Sequence, residues 1–151
     1  MKSQLTLRRA LGLALLLAAA LALPVLAQDK AAEPATEAPA PQLVAYYFHG
    51  NFRCPTCRKI EAYSAEAISG GFADEVASGK LEWRVVNTEE AGNEHFVQDF
   101  QLTTKSLVLV EYREGEVARF ENLTQIWQLV GDKDRFVTYV RDATRKFIGQ
   151  S

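Results

Sequence analysis

Hydrophobic residues follow two different periods along residues 43–151. Short segments that are apolar throughout or at every second position are typical of β-strands, and they cover 43–48, 81–86, 106–112 and 117–120. Apolar residues three or four apart are typical of amphipathic helices, and they cover about 55–69, 93–100, 123–130 and the segment from 132 onward. The order β-α-β-α-β-β-α predicts an α/β fold, with a central mixed four-stranded sheet flanked by helices.

The first strand is expected at the centre of this sheet. Residues 43–48 are nearly all apolar, as in strands covered on both faces, whereas 81–86 alternates. The helix between these two segments predicts that they pair in parallel, through a right-handed crossover. The segment Arg113-Glu114-Gly115-Glu116 separates the last two strands, and its glycine predicts a tight hairpin turn.

The spacing of apolar residues also predicts which faces of the first two helices are buried. The first helix is expected to end at Gly70-Gly71 and to bury Cys57, Ile60, Ser64 and Ala67. Asn93 is expected to cap the second helix, whose inward residues are then Phe96, Val97 and Phe100.

The first 42 residues are predicted to be a leader and a linker that do not belong to the folded domain. Lys2, Arg8 and Arg9 precede an apolar run over 11–23, and small residues before position 28 predict cleavage after Ala27. The alternative is an uncleaved membrane anchor, for which the apolar run is short, since a span needs about 20 residues. Residues 28–42 are rich in Ala, Pro and Glu and predict a flexible linker. The domain is then 43–151, in a protein exported to the periplasm or the outside of the cell.

Charge excludes nucleic acid as the expected partner. The 151-residue chain has a net charge of −2, and loss of the three basic residues of segment 1–27 makes it −5. No basic block or stripe follows that could bind a phosphate backbone. Nucleic acid is therefore not an expected partner, and once segment 1–27 is removed the mature protein is not expected to span a membrane.

Both cysteines lie at Cys-x-x-Cys spacing, between the first strand and the first helix. The helix amino terminus stabilises a thiolate at Cys54 through its free N–H groups and its dipole. Arg53, Arg58 and Lys59 add positive charge, which lowers a thiol pKa further. We expect Cys54 to attack a partner's disulfide and Cys57 to resolve the mixed disulfide, with no cofactor besides this pair.

Three other uses of the cysteines stay open at this point. A structural disulfide would enclose only two residues and so remove little entropy from the unfolded chain. A zinc site would need about four ligands, of which the sequence offers the cysteines, His49 and His95. Soft thiolates select Cu(I), so Cys54, Cys57 and His49 form a possible copper set. Alternatively, His49 tunes Cys54 or carries a proton.

One segment around the cysteines resembles a known group of proteins: Tyr46-Tyr47-Phe48-His49-Gly50-Asn51-Phe52-Arg53-Cys54-Pro55-Thr56-Cys57-Arg58-Lys59-Ile60-Glu61. It is similar to the thioredoxin-like superfamily and, more narrowly, to small exported proteins called the nitrophenyl compound nitroreductase subunit, ArsF family. The wider likeness runs from Leu43 to about Ile148. The resemblance implies a thioredoxin-like fold, a redox-active cysteine pair and thiols or disulfides of partner proteins as substrates.

Three departures from the thioredoxin pattern qualify that expectation. Arg53 and Phe48 stand where thioredoxins usually have a tryptophan and a buried carboxylate. The segment Thr104-Lys105-Ser106 replaces the cis-proline loop that faces the cysteines, so its peptide bonds are expected to be trans and Lys105 to lie near Cys54. The sequence thus predicts an exported thiol–disulfide oxidoreductase with one or a few partners. The alternatives are a non-enzymatic accessory subunit of a reductase system and a copper-handling protein.

Overall fold

A computed structural model describes residues 43–149 of the chain. The elements in chain order are β1 (Leu43–His49), α1 (Pro55–Gly71), α2 (Ala73–Ala77), β2 (Leu81–Asn87), α3 (His95–Asp99), β3 (Ser106–Arg113), β4 (Glu116–Asn122), α4 (Ile126–Leu129) and α5 (Lys133–Ile148). The predicted leader, 1–27, and linker, 28–42, lie outside the described residues. Within the described residues, none of the helices has the length and apolarity that a membrane span requires.

The strands form one four-stranded mixed sheet in the order β2-β1-β3-β4. As predicted, β1 and β2 are parallel, and Tyr47 pairs with Val85. The β1–β3 and β3–β4 pairs are antiparallel. The predicted α/β class, the mixed sheet and the central position of β1 are therefore confirmed.

Each face of the sheet carries its own hydrophobic cluster, because successive side chains of β1 point to opposite sides. Tyr47 packs with Ile60 of α1 and Phe136 of α5 on one face. Tyr46 and Phe48 pack with Phe96, Phe100, Val108 and Val110 on the other. The first face is covered by two long helices and the second by the short α3, so β1 is buried from both sides.

Helix α1 buries the predicted residues but runs two residues further than expected. Cys57, Ile60, Ser64 and Ala67 are all buried. The helix ends at Gly71 rather than before Gly70, because Phe72 supplies the last bond, from its N–H to the Ile68 carbonyl at 3.0 Å. A Cβ added at Gly71 would lie 2.7 Å from Nε of Arg141, so glycine here lets the α5 side chain cross the end of α1.

The predictions for α3 were wrong in two details. Asn93 does not cap the helix: its side-chain amide donates to the Asn87 carbonyl at 3.0 Å, and α3 begins at His95. Val97 is 40 % exposed, whereas Phe100 is buried as predicted. Phe96 and Phe100 are four residues apart and share a face, and Val97 is turned about 100° from Phe96. The hairpin turn is confirmed, with positive φ at Glu114 (54°) and Gly115 (85°).

Glu111 is a buried carboxylate that ties the β3–β4 hairpin to α5. It is 3 % exposed and accepts hydrogen bonds from Nε of Arg113 at 2.7 Å and Nε of Arg119 at 2.5 Å. Arg119 also donates to the Phe147 carbonyl at 2.5 Å. Burial by itself would raise the Glu111 pKa, but the hydrogen bonds and charges of the two arginines hold this pKa below its usual value.

Tyr47 fixes the first turn of α1 to the central strand. Its ring is fully buried, and its hydroxyl donates to the Cys57 carbonyl at 2.8 Å. Burial raises the pKa of Tyr47 to about 12, against the opposing effect of the Arg53 charge. The hydroxyl is therefore protonated at neutral pH and remains a hydrogen-bond donor.

The lowered pKa of Glu111 predicts a loss of stability in acid. The folded state holds this carboxylate ionised at pH values where the unfolded chain, with a carboxyl pKa near 4.5, binds a proton. The contribution is thus present above pH 4.5 and lost as pH falls through the lower folded value. Urea unfolding between pH 7 and pH 3 should show a shallower acid loss in Glu111→Gln than in the wild type. Glu116→Gln, an exposed control on β4, should keep the wild-type slope; equal slopes in all three proteins would contradict the assignment.

Removing the Tyr47 hydroxyl should loosen the start of α1 without opening the core. The ring of Phe fills the same space, so Tyr47→Phe should lower the free energy of unfolding by about 1 kcal/mol, as for one buried hydrogen bond. Amide hydrogen exchange should become faster in the first two turns of α1 than in the wild type and stay unchanged in α5. Unaltered exchange in α1 would show that the hydroxyl does not hold this turn.

Candidate functional site

The two cysteines form a disulfide at the junction of β1 and α1. A loop of residues 50–54 follows β1, and Cys54 is the N-cap of α1, with extended backbone angles (φ −71°, ψ 161°). Its Sγ accepts a hydrogen bond from the Cys57 backbone N–H at 3.1 Å, and the two Cα atoms lie 5.1 Å apart. Pro55 is the first helical residue, where its missing N–H breaks no helical bond.

The two sulfurs differ in access. Cys57 is 1 % exposed and faces the core with Ile60, whereas Cys54 is only partly buried. An attacking sulfur from another molecule can therefore approach Cys54 but not Cys57. The Cys57 N–H, which the Cys54 sulfur caps, would also stabilise negative charge on that sulfur once the disulfide opens.

Arg53 is paired inside the site. Its guanidinium binds the Glu61 carboxylate in an ion pair, and its other terminal nitrogen lies 3.1 Å from Nε2 of His49. Glu61 lies one helical turn after Cys57, and sequence spacing did not single it out. The positive charge of Arg53 is thus compensated by Glu61.

Arg58 and Lys59 are placed differently from Arg53. Both side chains are exposed, and neither forms an ion pair within residues 43–149. The backbone N–H of Arg58 donates to the Cys54 carbonyl at 3.1 Å, so Arg58 follows Cys54 by one turn on the same face. Arg58 thus supplies an uncompensated positive charge one turn after Cys54, and Lys59 adds a second exposed cation at the next position of α1.

His49 ends β1 with both ring nitrogens engaged. An arginine only donates hydrogen bonds, so Nε2 acts as the acceptor towards Arg53 and Nδ1 as the donor to the Gly50 carbonyl, at 2.9 Å. Between residues 43 and 149, no three His, Cys, Asp or Glu side chains are placed to hold a metal ion together. The structure therefore does not bring His49 to Cys54 and Cys57 as a third ligand, and His95 lies apart on α3.

A second loop, which follows β2, holds residues 50–54, the cysteine loop, in place. The Thr88 N–H donates to the His49 carbonyl at 2.8 Å, and the Asn87 amide donates to the Asn51 side chain at 2.8 Å. Glu89 accepts from the Asn51 N–H at 3.1 Å, and its carboxylate lies where a Cβ on Gly50 would be. Sequence reasoning missed these residues, although the parallel pairing of β1 and β2 signals that their carboxyl ends meet at one sheet edge.

The loop before β3 forms the third side of this edge. Ser106 pairs with Phe48 across the β1–β3 ladder, and the Lys105 carbonyl accepts from the Trp127 indole N–H at 3.0 Å. Every peptide bond in the described part of the chain is trans, as predicted for this loop. Lys105 and Thr104 line a cleft of about 210 Å³ together with His49 and Glu89, so the Lys105 charge lies at the same edge as the cysteine loop.

These contacts give a disulfide with one accessible sulfur, at a helix amino terminus, on a loop that the residues at the end of β2 hold in place. Such an arrangement can exchange its disulfide with a thiol that reaches Cys54. The chain matches no protein-family model, no curated protein and no solved structure.

Proposed function

We propose that this chain is a thioredoxin-like thiol–disulfide exchange protein that acts through Cys54 and Cys57. The unequal placement of the two sulfurs is the observation that supports this best: Cys54 is accessible at the cap of α1, and Cys57 is buried one turn later. A disulfide that served only to brace the loop would gain nothing from this difference. The mixed sheet, with the cysteine pair after its central strand, supports the thioredoxin-like assignment.

The exchange proceeds in two displacement steps. A partner thiolate attacks Sγ of Cys54, which forms a mixed disulfide and releases Cys57 as the leaving thiolate. A second thiolate of the partner then attacks the partner's own sulfur in that mixed disulfide, so Cys54 leaves as a thiolate. The partner loses two electrons and becomes a disulfide, and the Cys54–Cys57 pair gains them. The reverse sequence reduces a partner disulfide.

The cysteine loop favours Cys54 as the sulfur that forms the mixed disulfide. In the reduced state, the Cys57 N–H, 3.1 Å from Sγ in the disulfide form, can donate to the Cys54 thiolate. Arg58 and Lys59 add positive charge from the first turns of α1, while Glu61 offsets Arg53. Phe48, 1 % exposed, lies where a thioredoxin would bury a carboxylate, so the path of the Cys57 proton differs here.

The loop at Lys105 supports a narrow choice of partner. In proteins that this sequence resembles, the corresponding loop offers backbone groups on which a substrate segment pairs as an added strand. Here the Lys105 carbonyl is already bonded to Trp127. A substrate can use only the remaining lone pair of that carbonyl, so it has fewer backbone groups to pair with on this edge. Of the three residues expected to face a substrate, Thr104 and Lys105 are proposed for this role, whereas Ser106 is 3 % exposed and donates its hydroxyl to the Thr104 carbonyl at 2.9 Å. General reduction of unrelated disulfides is accordingly not expected.

We place this activity outside the cytoplasm, in line with the ArsF-like resemblance. The support is the leader pattern of residues 1–27 and the tether composition of 28–42. In an oxidising compartment, a reductant must open the pair before it can reduce a partner, whereas the disulfide form can act at once as an oxidant. An accessory subunit and a Cu(I) carrier use the same surface differently, and the next experiment separates them.

The two single cysteine variants should trap partners unequally. Cys57→Ser leaves Cys54 without its resolving thiol, so mixed disulfides should accumulate on Cys54; Cys54→Ser leaves only a buried thiol and should trap few. The full chain is expressed in an exporting host, and acid stops thiol exchange. The free thiols are then alkylated, and the adducts are counted on non-reducing gels.

The double serine variant is the control for non-covalent capture. Equal trapping by the two single variants would contradict the assignment of Cys54. Trapping by neither, with tight Cu(I) binding by the reduced wild type, would favour the copper protein. Partner binding and biological activity that survive in the double variant would favour the accessory subunit.

A further inference from the structure

Phe52 is an apolar side chain presented beside the disulfide on a fixed loop. It is 76 % exposed, the highest value among the large hydrophobic residues that the structure leaves exposed between 43 and 149. The loop around it is not free to fold the ring away, because Asn51 is bonded to Asn87 and Glu89, and Arg53 to Glu61. Aromatic side chains are enriched at protein interfaces, so this ring is available as an anchor that a partner covers.

The surface around Cys54, formed by Phe52 and the exposed residues of the first turns of α1, is called the rim here. Its helix side is positively charged. Arg58 and Lys59 are exposed, and the first turn of α1 contains no acidic residue. Two carboxylates bind the cysteine loop rather than these cations: Glu61 pairs with Arg53, and Glu89 accepts from the Asn51 N–H. The chain as a whole is acidic, with a net charge of −2, so the charge of this cationic rim is opposite to the net charge of the protein.

We propose that the partner segment that reaches Cys54 is acidic, with carboxylates for Arg58 and Lys59 and an apolar side chain that packs on Phe52. This inference rests on the proposed exchange at Cys54 and specifies the chemistry of its substrate. Exposed charge pairs contribute little to affinity, but complementary charges speed encounter and reject partners of the wrong sign. The rim would thus act mainly on the rate and selectivity of attack.

A second copy of this chain fits the rim poorly. Two copies that met through this rim would bring Arg58 and Lys59 of one against the same cations of the other. Like charges in contact oppose association. The occupant that complements the rim is therefore a different protein segment, which carries the opposite charge.

The test uses two synthetic peptides, each closed by one internal disulfide and each with a leucine beside the attacked cysteine. They differ only in two flanking residues, which are Glu in one peptide and Lys in the other. The chain from residue 28 onward is reduced, and its second-order rate with each peptide is measured at about 20 mM and about 500 mM salt, which bracket weak and strong screening. A small uncharged disulfide gives the reference rate for Cys54 itself.

The wild type should reduce the acidic peptide about tenfold faster than the basic one at low salt, and the difference should shrink at high salt. Arg58→Glu with Lys59→Glu should invert this preference, after division by the reference rate. Phe52→Ala should lower the normalised rates with both peptides, because both carry the leucine.

Lys80→Glu with Lys146→Glu is the matched control, since it changes the net charge equally at exposed positions outside the rim. It should keep the wild-type preference. Equal rates with both peptides in the wild type, or the same inversion in the control, would overturn the acidic-partner inference while leaving exchange intact. No reaction even with the small disulfide would instead overturn the proposed function, and this inference with it.

Discussion

The hydrogen bond from the Cys57 backbone N–H to Cys54 Sγ, 3.1 Å long, is the contact on which the site depends. It makes a cysteine the N-cap of α1, so one atom is both the cap of the helix and the sulfur that we propose to be reactive. Oxygen side chains are the usual caps. A sulfur in this place receives a free N–H and the positive end of the helix dipole, which favour its thiolate over its thiol. The same geometry buries Cys57 one turn later, and the difference between the sulfurs follows from it.

Neighbouring elements hold that cap in place from two sides, and the loop before β3 completes the edge. Tyr47 reaches from the central strand to the Cys57 carbonyl, which fixes the first turn of α1 against the sheet. The loop after β2 holds the cysteine loop through Thr88, Asn87 and Glu89, and Trp127 holds the loop before β3. Within the described residues, Arg58 and Lys59 on α1 form no ion pair, while Lys105 and Glu89 place further charges on the neighbouring loops of this edge. In the proposed function, exchange and partner choice therefore use adjacent parts of one surface.

Sequence periodicity predicted the elements well because it reports burial. The apolar run of β1, the alternation of β2 and the glycine turn before β4 each reflect one segment and its own faces. The Arg53–Glu61 pair and the contacts of Asn51 were not predictable in this way, since they join segments whose separation in sequence has no period. The cap predicted for α3 failed for a different, local reason: the Asn93 side chain donates to the Asn87 carbonyl, six residues earlier in the same connection, and so does not cap the helix. Short helices are the most sensitive to such competition.

The reduction potential of the Cys54–Cys57 pair tests the central claim most directly. The full mature chain is equilibrated in thiol–disulfide buffers of known potential, quenched with an alkylating reagent, and its oxidised fraction measured by mass. A redox-active pair with a stabilised Cys54 thiolate predicts a midpoint between about −120 and about −270 mV, the range of known exchange proteins. A midpoint below about −300 mV is typical of structural disulfides and would contradict the account.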